Sequence, residues 1–161
     1  MRFKSIITLS GFFLLAASTS SLLAYQGKPA GTSKPKADRK SQSEVASKAV
    51  FSTTPPTNPE VKKALDAKDL PGAIKLIGKE GAFKGTVAKV YAPKSNSIVI
   101  LNFDADYKKA ITAVLRNKDF SRFPNLESLN GKRILVKGKF EDFRGAPEIV
   151  LTDAGQIKII K

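Results

Sequence analysis

The chain has 161 residues, of which 42% are hydrophobic and 26% charged, and its 28 Lys and Arg against 14 Asp and Glu give a net charge of +14. It contains no Cys, His or Trp, which excludes disulfides, thiol nucleophiles, thiolate metal sites and histidine acid–base catalysis. The length suits one domain with extensions. We therefore expect a binding protein and not an enzyme, with no catalytic residues, no metal and no cofactor.

Residues 1–24 have the pattern of a secretory signal peptide. Arg2 and Lys4 form a short positive start, and residues 6–17 are a continuous, mostly apolar run. Small residues follow, and cleavage is predicted after Ala24. We therefore expect a periplasmic or secreted protein with no stable membrane insertion once the signal is removed.

Two alternatives to this cleavage remain open from the sequence. Leu22, which would be the third residue before a cut after Ala24, is not small, so cleavage near residues 17–20 is the first alternative. An uncleaved anchor is the second, because residues 5–24 approach the roughly 20 residues that span a bilayer. The hydroxyl side chains of residues 18–21 make that span a poor one.

Residues 25–58 are rich in Lys, Ser, Thr, Pro and Gly and show no sustained apolar period. Such a segment cannot bury enough surface to offset its chain entropy, so we predict a disordered basic linker. The linker could dock on an anionic polymer, and a solvated spacer is the equal alternative. Its cationic residues, which outnumber Asp38 and Glu44, are Lys28, Lys34, Lys36, Arg39, Lys40 and Lys48.

Residues 59–79 carry the signals of a short helical segment. Asn58 can cap a helix, Pro59 suits its first position, and Glu60 complements the helix dipole. Residues 69–72 (DLPG) interrupt the first helix, and a second short helix is expected to begin there.

Residues 80–161 have the pattern of a mainly β domain. Gly85 inside the first strand indicates a bend that lets one strand serve both sides of a small barrel. Residues 118–129 carry apolar side chains every three positions and indicate a short helix that Pro124 breaks. Residues 107–116 fit strand or helix by period, and strand is favoured because the preceding strand needs a partner. The strands are predicted at residues 82–91, 97–103, 107–116, 132–143 and 147–151, with residues 156–160 closing the end.

This order places a short helix between the third and fourth of five strands, which is the order of a five-stranded OB-fold barrel. The predicted barrel also contains several short motifs: Gly85-Thr86-Val87, residues 100–103 (ILNF), 129–138 (LNGKRILVKG), 143–151 (FRGAPEIVL) and Gln156-Ile157. Together these motifs resemble a family of bacterial OB-fold domains of the nucleic-acid-binding type, sometimes found beside secreted nucleases. The resemblance implies the OB fold and no catalytic residues, and Phe143 stands where the family usually has a phenolic ring.

Nucleic-acid binding by an OB barrel needs cations along a groove and flat side chains on which bases stack. Tyr91, Tyr107 and Phe143 lie near predicted turns and are the better stacking candidates, whereas four phenylalanines in apolar registers are expected in the core: Phe103, Phe120, Phe123 and Phe140. A solvated barrel exterior is the alternative for the lysines. The candidate nucleic-acid-binding residues are Lys84, Lys89, Tyr91, Lys94, Lys108, Lys109, Arg116, Lys137, Lys139, Phe143 and Arg144.

The carboxylates offer no complete catalytic or metal site in the sequence. Asp104 and Asp106 flank a single residue, which matches no full calcium loop and is typical of tight turns. Glu148 at a strand start is expected to serve structural hydrogen bonding. There is no Ser/His/Asp set and no phosphate-cradling glycine loop.

Two functions from different classes therefore remain. The first is a non-catalytic secreted or periplasmic OB-fold protein that binds single-stranded nucleic acid or another polyanion. The second is a periplasmic OB-fold protein with an interaction or stress-related role that binds a protein or a small ligand. A continuous positive stripe with exposed aromatics would favour the first, and scattered lysines would favour the second.

Overall fold

A computed structural model describes residues 39–161. The signal peptide predicted at residues 1–24 and the first part of the predicted linker, residues 25–38, lie outside the described residues. Within the described part the chain is mainly β, with short α-helices α1 (Gln42–Val45), α2 (Pro59–Lys63) and α3 (Leu70–Ile74). None of the helices within residues 39–161 is long and apolar enough to cross a membrane.

The strands form one strongly curled sheet. They are β1 (Ser52–Thr54), β2 (Leu65–Asp66), β3 (Glu80–Thr86), β4 (Lys89–Tyr91), β5 (Ile98–Asn102), β6 (Thr112–Arg116), β7 (Arg133–Phe143), β8 (Ala146–Leu151) and β9 (Ile157–Ile160). Seven of them follow one another in the order β1-β9-β7-β8-β6-β5-β4, while β3 pairs with β7 and β2 pairs with β3 beside this path. The pairs β1–β9, β2–β3 and β6–β8 are parallel, and the others are antiparallel.

The mainly β prediction is confirmed, but the prediction of a closed five-stranded barrel is wrong: the sheet is an open half-barrel. The predicted first strand is split into β3 and β4, which Val87 and Ala88 separate. The Val87 amide donates to the Lys132 carbonyl at 3.0 Å, whereas the Ala88 amide donates to the Asn102 carbonyl at 2.8 Å. The chain therefore changes its hydrogen-bonding partner between these two residues. β3 and β4 follow each other along the chain but do not pair with each other in the sheet.

Gly85 does not make this bend, although the sequence indicated it. A Cβ atom at Gly85 would lie 2.7 Å from the Cβ of Ala67 and 3.0 Å from the Phe103 ring. The glycine is required because the chain before α3 and the Phe103 ring both press against the β3 backbone.

The predicted third strand begins later than the sequence indicated. Tyr107–Lys109 form a 3-10 helix, because the Asp106 carboxylate accepts a hydrogen bond from the Lys108 amide and caps that turn. The segment before β7 forms two 3-10 helices, Asn117–Arg122 and Leu126–Leu129. They are separated at Pro124, as predicted, because the residue before a proline is disfavoured in helical conformation.

The core lies inside the curl of the sheet. The rings of Phe83 and Phe103 meet edge to face with centroids 5.0 Å apart, and the Phe140 ring lies 6.3 Å from Phe83. The four phenylalanines expected in the core are all buried, which confirms that prediction. Aliphatic side chains of β7 and β8 complete the core: Ile134, Val136, Ile149 and Leu151.

Residues 39–54 form an ordered segment, here called the amino-terminal strap, so the disordered-linker prediction is wrong for this stretch. The side chain of Gln42 is buried and bonded to the segment around Pro124. Phe51 enters the core with 7% of its surface exposed, and β1 then pairs with β9. Sequence composition missed the strap because its few apolar residues are spaced irregularly and bury surface only against elements far along the chain.

The two helices that follow begin where the sequence predicted, but both are short, and β2 lies between them. The Asn58 side chain accepts a hydrogen bond from the Glu60 amide at 2.8 Å and caps α2, with Pro59 at its first position. The Asp69 side chain caps α3 through the Gly72 amide at 2.9 Å.

Candidate functional site

The outer face of β4, β5 and β6, on the side away from the core, gathers several of the predicted binding residues. Along β5, Val99 and Leu101 are buried in the core while Ile98, Ile100 and Asn102 point outward and are half-buried. The same alternation holds in β4 and at the end of β6. The residues of this outer face are Lys89, Tyr91, Ile98, Ile100, Asn102, Thr112, Val114 and Arg116.

This outer face carries cations and no carboxylate. Lys89 and Arg116 lie at opposite corners of the three strands, and Lys94 lies in the β4–β5 loop. All three side chains are exposed, and no ion pair among residues 39–161 involves them. Because β4, β5, β6 and the β4–β5 loop contain no Asp or Glu, these cations remain available to an anionic ligand.

Each exposed aromatic ring has a cation beside it. The Lys89 ammonium lies 5.9 Å from the centre of the Tyr91 ring, and the Lys108 ammonium lies 5.9 Å from that of Tyr107. Tyr91, Tyr107 and Phe143 are 44%, 59% and 54% exposed, so all three rings are accessible from solvent. An exposed ring beside a cation can stack on a base while the cation meets a phosphate.

Phe143 and Arg144 lie at the β7–β8 hairpin. Arg144 and Gly145 both adopt positive φ, 56° and 85°, as a two-residue hairpin turn of the common type requires. The Arg144 guanidinium stacks 5.2 Å from the centre of the Phe143 ring. Glu141 on β7 pairs with Glu148 on β8, and the hairpin begins two residues further along both strands. The hairpin therefore lies beyond this pair of carboxylates and is not part of the outer face of β4–β6.

Those carboxylates mark a boundary of the cationic region. Glu141 on β7 lies directly opposite Glu148 on β8, and Glu148 lies opposite Thr112 on β6. Burial raises the pKa of Glu148 above its ordinary value, the neighbouring Glu141 raises it further, and Arg116 opposes the shift. Cations are therefore concentrated on β4–β6, and carboxylates on the β7–β8 pair.

Lys84 and Lys137 are on the other half of the sheet, and their charges are already used within the protein. The Lys84 ammonium donates to the carbonyl of Val61 at 2.7 Å, at the end of α2. The Lys137 ammonium donates to the Glu60 carboxylate at 2.6 Å, and Lys158 reaches the same carboxylate at 3.3 Å. These lysines hold α2 against β3 and β7, so the structure separates them from the outer face of β4–β6.

The remaining candidates are dispersed. Lys139 is exposed on β7 opposite Glu80 on β3, away from the outer face of β4–β6. Lys109 lies 3.9 Å from Asp106 in the β5–β6 connection, next to Lys108. The structure thus brings Lys89, Tyr91, Lys94 and Arg116 together and leaves the other seven candidates elsewhere: Lys84, Lys108, Lys109, Lys137, Lys139, Phe143 and Arg144.

The acidic residues form turns and ion pairs. Asp104 accepts a hydrogen bond from the Asp106 amide at 3.0 Å, which is the turn role the sequence predicted. Asp104 also pairs with Lys68 at 2.9 Å, and the hydrogen bond from Lys68 lowers its pKa. No group of three metal-ligating side chains occurs in the part of the chain that the structure describes.

Sequence reasoning did not place three cations beside the β4–β5 loop. The Asn96 side chain in that loop donates to the carbonyl of Arg39 at 2.6 Å, which brings Arg39 and Lys40 to the loop. The Asn117 amide donates to the Ser97 carbonyl at 3.0 Å and brings Lys118 to the same end. The strap contact joins residues 57 positions apart, and no local pattern in the sequence signals it.

Comparisons of the chain with protein-family models, with curated proteins and with solved structures found no match.

Proposed function

We propose that this protein is a non-catalytic binding protein whose outer face of β4–β6 takes up single-stranded nucleic acid or another polyanion. The observation that carries the proposal is the combination of Lys89, Lys94 and Arg116, all exposed and free of ion pairs among the described residues, on strands without a carboxylate. Cations in such a region release counterions from a phosphate chain, which supplies affinity that depends on salt.

Single-stranded nucleic acid is favoured over an anionic polysaccharide because of the aromatic side chain on this face. Tyr91 is exposed with Lys89 beside its ring, and Ile98 and Ile100 on β5 offer a half-buried apolar floor next to it. A stacked base would gain about 1–3 kcal/mol from such a ring. A sulfated sugar chain has phosphate-like charge but no aromatic base for π-stacking.

We further propose that the curled sheet is related to the OB fold. The order of β4, β5, β6, β8 and β7 along the sheet, with β6 and β8 parallel, supports this relation, as do the 3-10 helices between β6 and β7. If the sheet is related to the OB fold, NMR in solution should show nuclear Overhauser effects between Val87 and Lys132 and between Ala88 and Asn102. Absence of either contact would contradict a strand shared between the two sides.

We also propose that the protein acts in the periplasm or outside the cell. The pattern of residues 1–24 supports a secreted or periplasmic protein, where nucleic acid or envelope polyanions are available. N-terminal sequencing of the exported protein checks it: a start after residue 24 or near residues 17–20 is expected, and an intact Met1 would contradict cleavage.

The binding test compares charge-matched variants. Lys89→Gln with Arg116→Gln removes two cations from the outer face, and Lys62→Gln with Lys63→Gln removes two exposed cations from α2. The affinity for labelled oligothymidylate is measured by fluorescence anisotropy across a salt series, and log affinity is plotted against log salt concentration. The first pair should make the slope of that plot shallower by about 1.4, because each phosphate neutralised contributes roughly 0.7. The α2 pair should retain the wild-type slope.

Tyr91→Leu separates single strands from other polyanions. It should weaken oligothymidylate binding at every salt concentration without changing the slope, because stacking releases no counterions. Heparin should bind the Tyr91 variant and the wild type equally. No binding to oligothymidylate or heparin at low salt would contradict the proposed function and favour a role in binding a protein or small ligand.

A further inference from the structure

The amino-terminal strap begins beside the β4–β5 loop. The Asn96 side-chain amide donates to the backbone carbonyl of Arg39 at 2.6 Å. Asn96 has a φ of 46°, a left-handed conformation that asparagine tolerates in turns. Lys94 is two residues earlier in the same loop, so the start of the strap lies next to a cation of the outer face.

The strap is fixed in this position by buried polar contacts. The Gln42 side chain, 4% exposed, donates to the Pro124 carbonyl at 3.0 Å and accepts from the Leu126 amide at 3.0 Å. The Ser47 amide donates to the Phe123 carbonyl at 2.8 Å. Because these bonds hold the first residue of α1 and the backbone just after the helix, Arg39 and Lys40 do not project from a freely moving tail.

The cations at this end of the sheet have few competing carboxylates. Arg39 and Lys40 are exposed, and neither is in an ion pair within residues 39–161. Glu44 is the one carboxylate within residues 39–54; hydrogen bonds from Ser41 occupy it and lower its pKa, and the charge of Lys40 lowers it to a lesser extent. Asp119 beyond β6 is buried and lies 3.4 Å from Arg122.

We propose that Arg39 and Lys40 extend the polyanion site past the β4–β5 loop, so that the strap forms one wall of the binding surface. This inference rests on the proposed function of the outer face. Arg39 supplies a guanidinium that can hold a phosphate through two parallel hydrogen bonds, and Lys40 supplies a point charge. The ligand chain then runs from Lys89 and Tyr91 past Lys94 to the strap, away from the Glu141–Glu148 pair.

The first test removes the two strap charges. Arg39→Gln with Lys40→Gln should lower the salt slope for oligothymidylate by about 1.4, and the affinity about 25-fold at 0.1 M salt if the difference vanishes at 1 M. Lys62→Gln with Lys63→Gln is the matched control for net charge. Thermal unfolding of both variants should match the wild type, because none of the four side chains is buried.

The second test releases residues 39–40, at the start of the strap, from the β4–β5 loop without changing any charge. Asn96→Gly keeps the left-handed turn accessible and removes the bond to the Arg39 carbonyl. Affinity for oligothymidylate should fall, although less than with the loss of both charges. An effect of the strap charges without any effect of Asn96→Gly would overturn the placement of the strap at the loop.

The outcomes separate this inference from the proposed function. If the Lys89 and Arg116 pair weakens binding while the strap pair behaves like the α2 control, the strap inference falls and the outer-face function stands. If neither pair differs from the α2 control, both fall. A weaker, less salt-dependent complex for both pairs supports both.

Discussion

Within residues 39–161, Glu148 is a carboxylate whose surroundings oppose its charge. It lies on β8 directly opposite Glu141 on β7, half-buried, and burial followed by the repulsion from Glu141 raises its pKa. The folded protein therefore binds a proton at Glu148 more tightly than the unfolded chain does. The resulting stabilisation is complete below the ordinary glutamate pKa of 4.5 and is lost as the pH rises through the raised value.

Glu148→Gln should accordingly flatten the dependence of stability on pH. In urea titrations, the variant should lose less free energy of unfolding than the wild type between about pH 4 and pH 7. Glu80→Gln, at an exposed position on β3, serves as the control and should follow the wild-type curve. A wild-type slope in the Glu148 variant would mean that its carboxylate is well solvated.

Lys84 and Lys137 show what could and could not be predicted from residues alone. Alternation along β3 and β7 places both on the face of the sheet that is turned away from Phe83 and Val136. Their contacts with Val61 and Glu60 depend on where α2 packs, and strand periodicity contains no information about that. Lys89 and Arg116 have the same sequence signature, yet no element of the described chain pairs with their charges.

The strap is the element that sequence reasoning placed wrongly. Composition predicts disorder for a segment with few apolar residues, but β1 pairs with β9 and Phe51 enters the core. By contrast, α2 and α3 were predictable because Asn58 and Asp69 are local caps. Local hydrogen-bonding signals can be read from the sequence, whereas partners that are distant along the chain cannot.

The strap should therefore contribute to the stability of the whole domain. Phe51→Ala should lower the free energy of unfolding by about 3–5 kcal/mol, because it opens a cavity in the core. Its neighbour Val50 is 88% exposed, so Val50→Ala should change stability by no more than about 0.5 kcal/mol. Urea denaturation followed by circular dichroism measures both, and equal, small effects would mean that the strap is not packed.

At the scale of the whole molecule, the positive charge is unevenly distributed over the sheet. The half formed by β3, β7 and β9 uses lysines to bind α2, and the β7–β8 pair presents carboxylates. The β4–β6 half and its loop carry cations alone. The net charge predicted an anionic partner, but only the sheet order determines which face such a partner can use.

Chemical-shift mapping by NMR tests this arrangement most directly. The ¹⁵N-labelled protein is titrated with oligothymidylate of about ten nucleotides. This length is within the usual site size of an OB fold, to which we propose that the sheet is related. The largest amide shifts should occur at residues 89–102 and 112–118 and at Arg39 and Lys40, while α2 (Pro59–Lys63) remains unchanged. Shifts centred on α2 and β3, or spread evenly over all exposed lysines, would contradict a binding face on β4–β6.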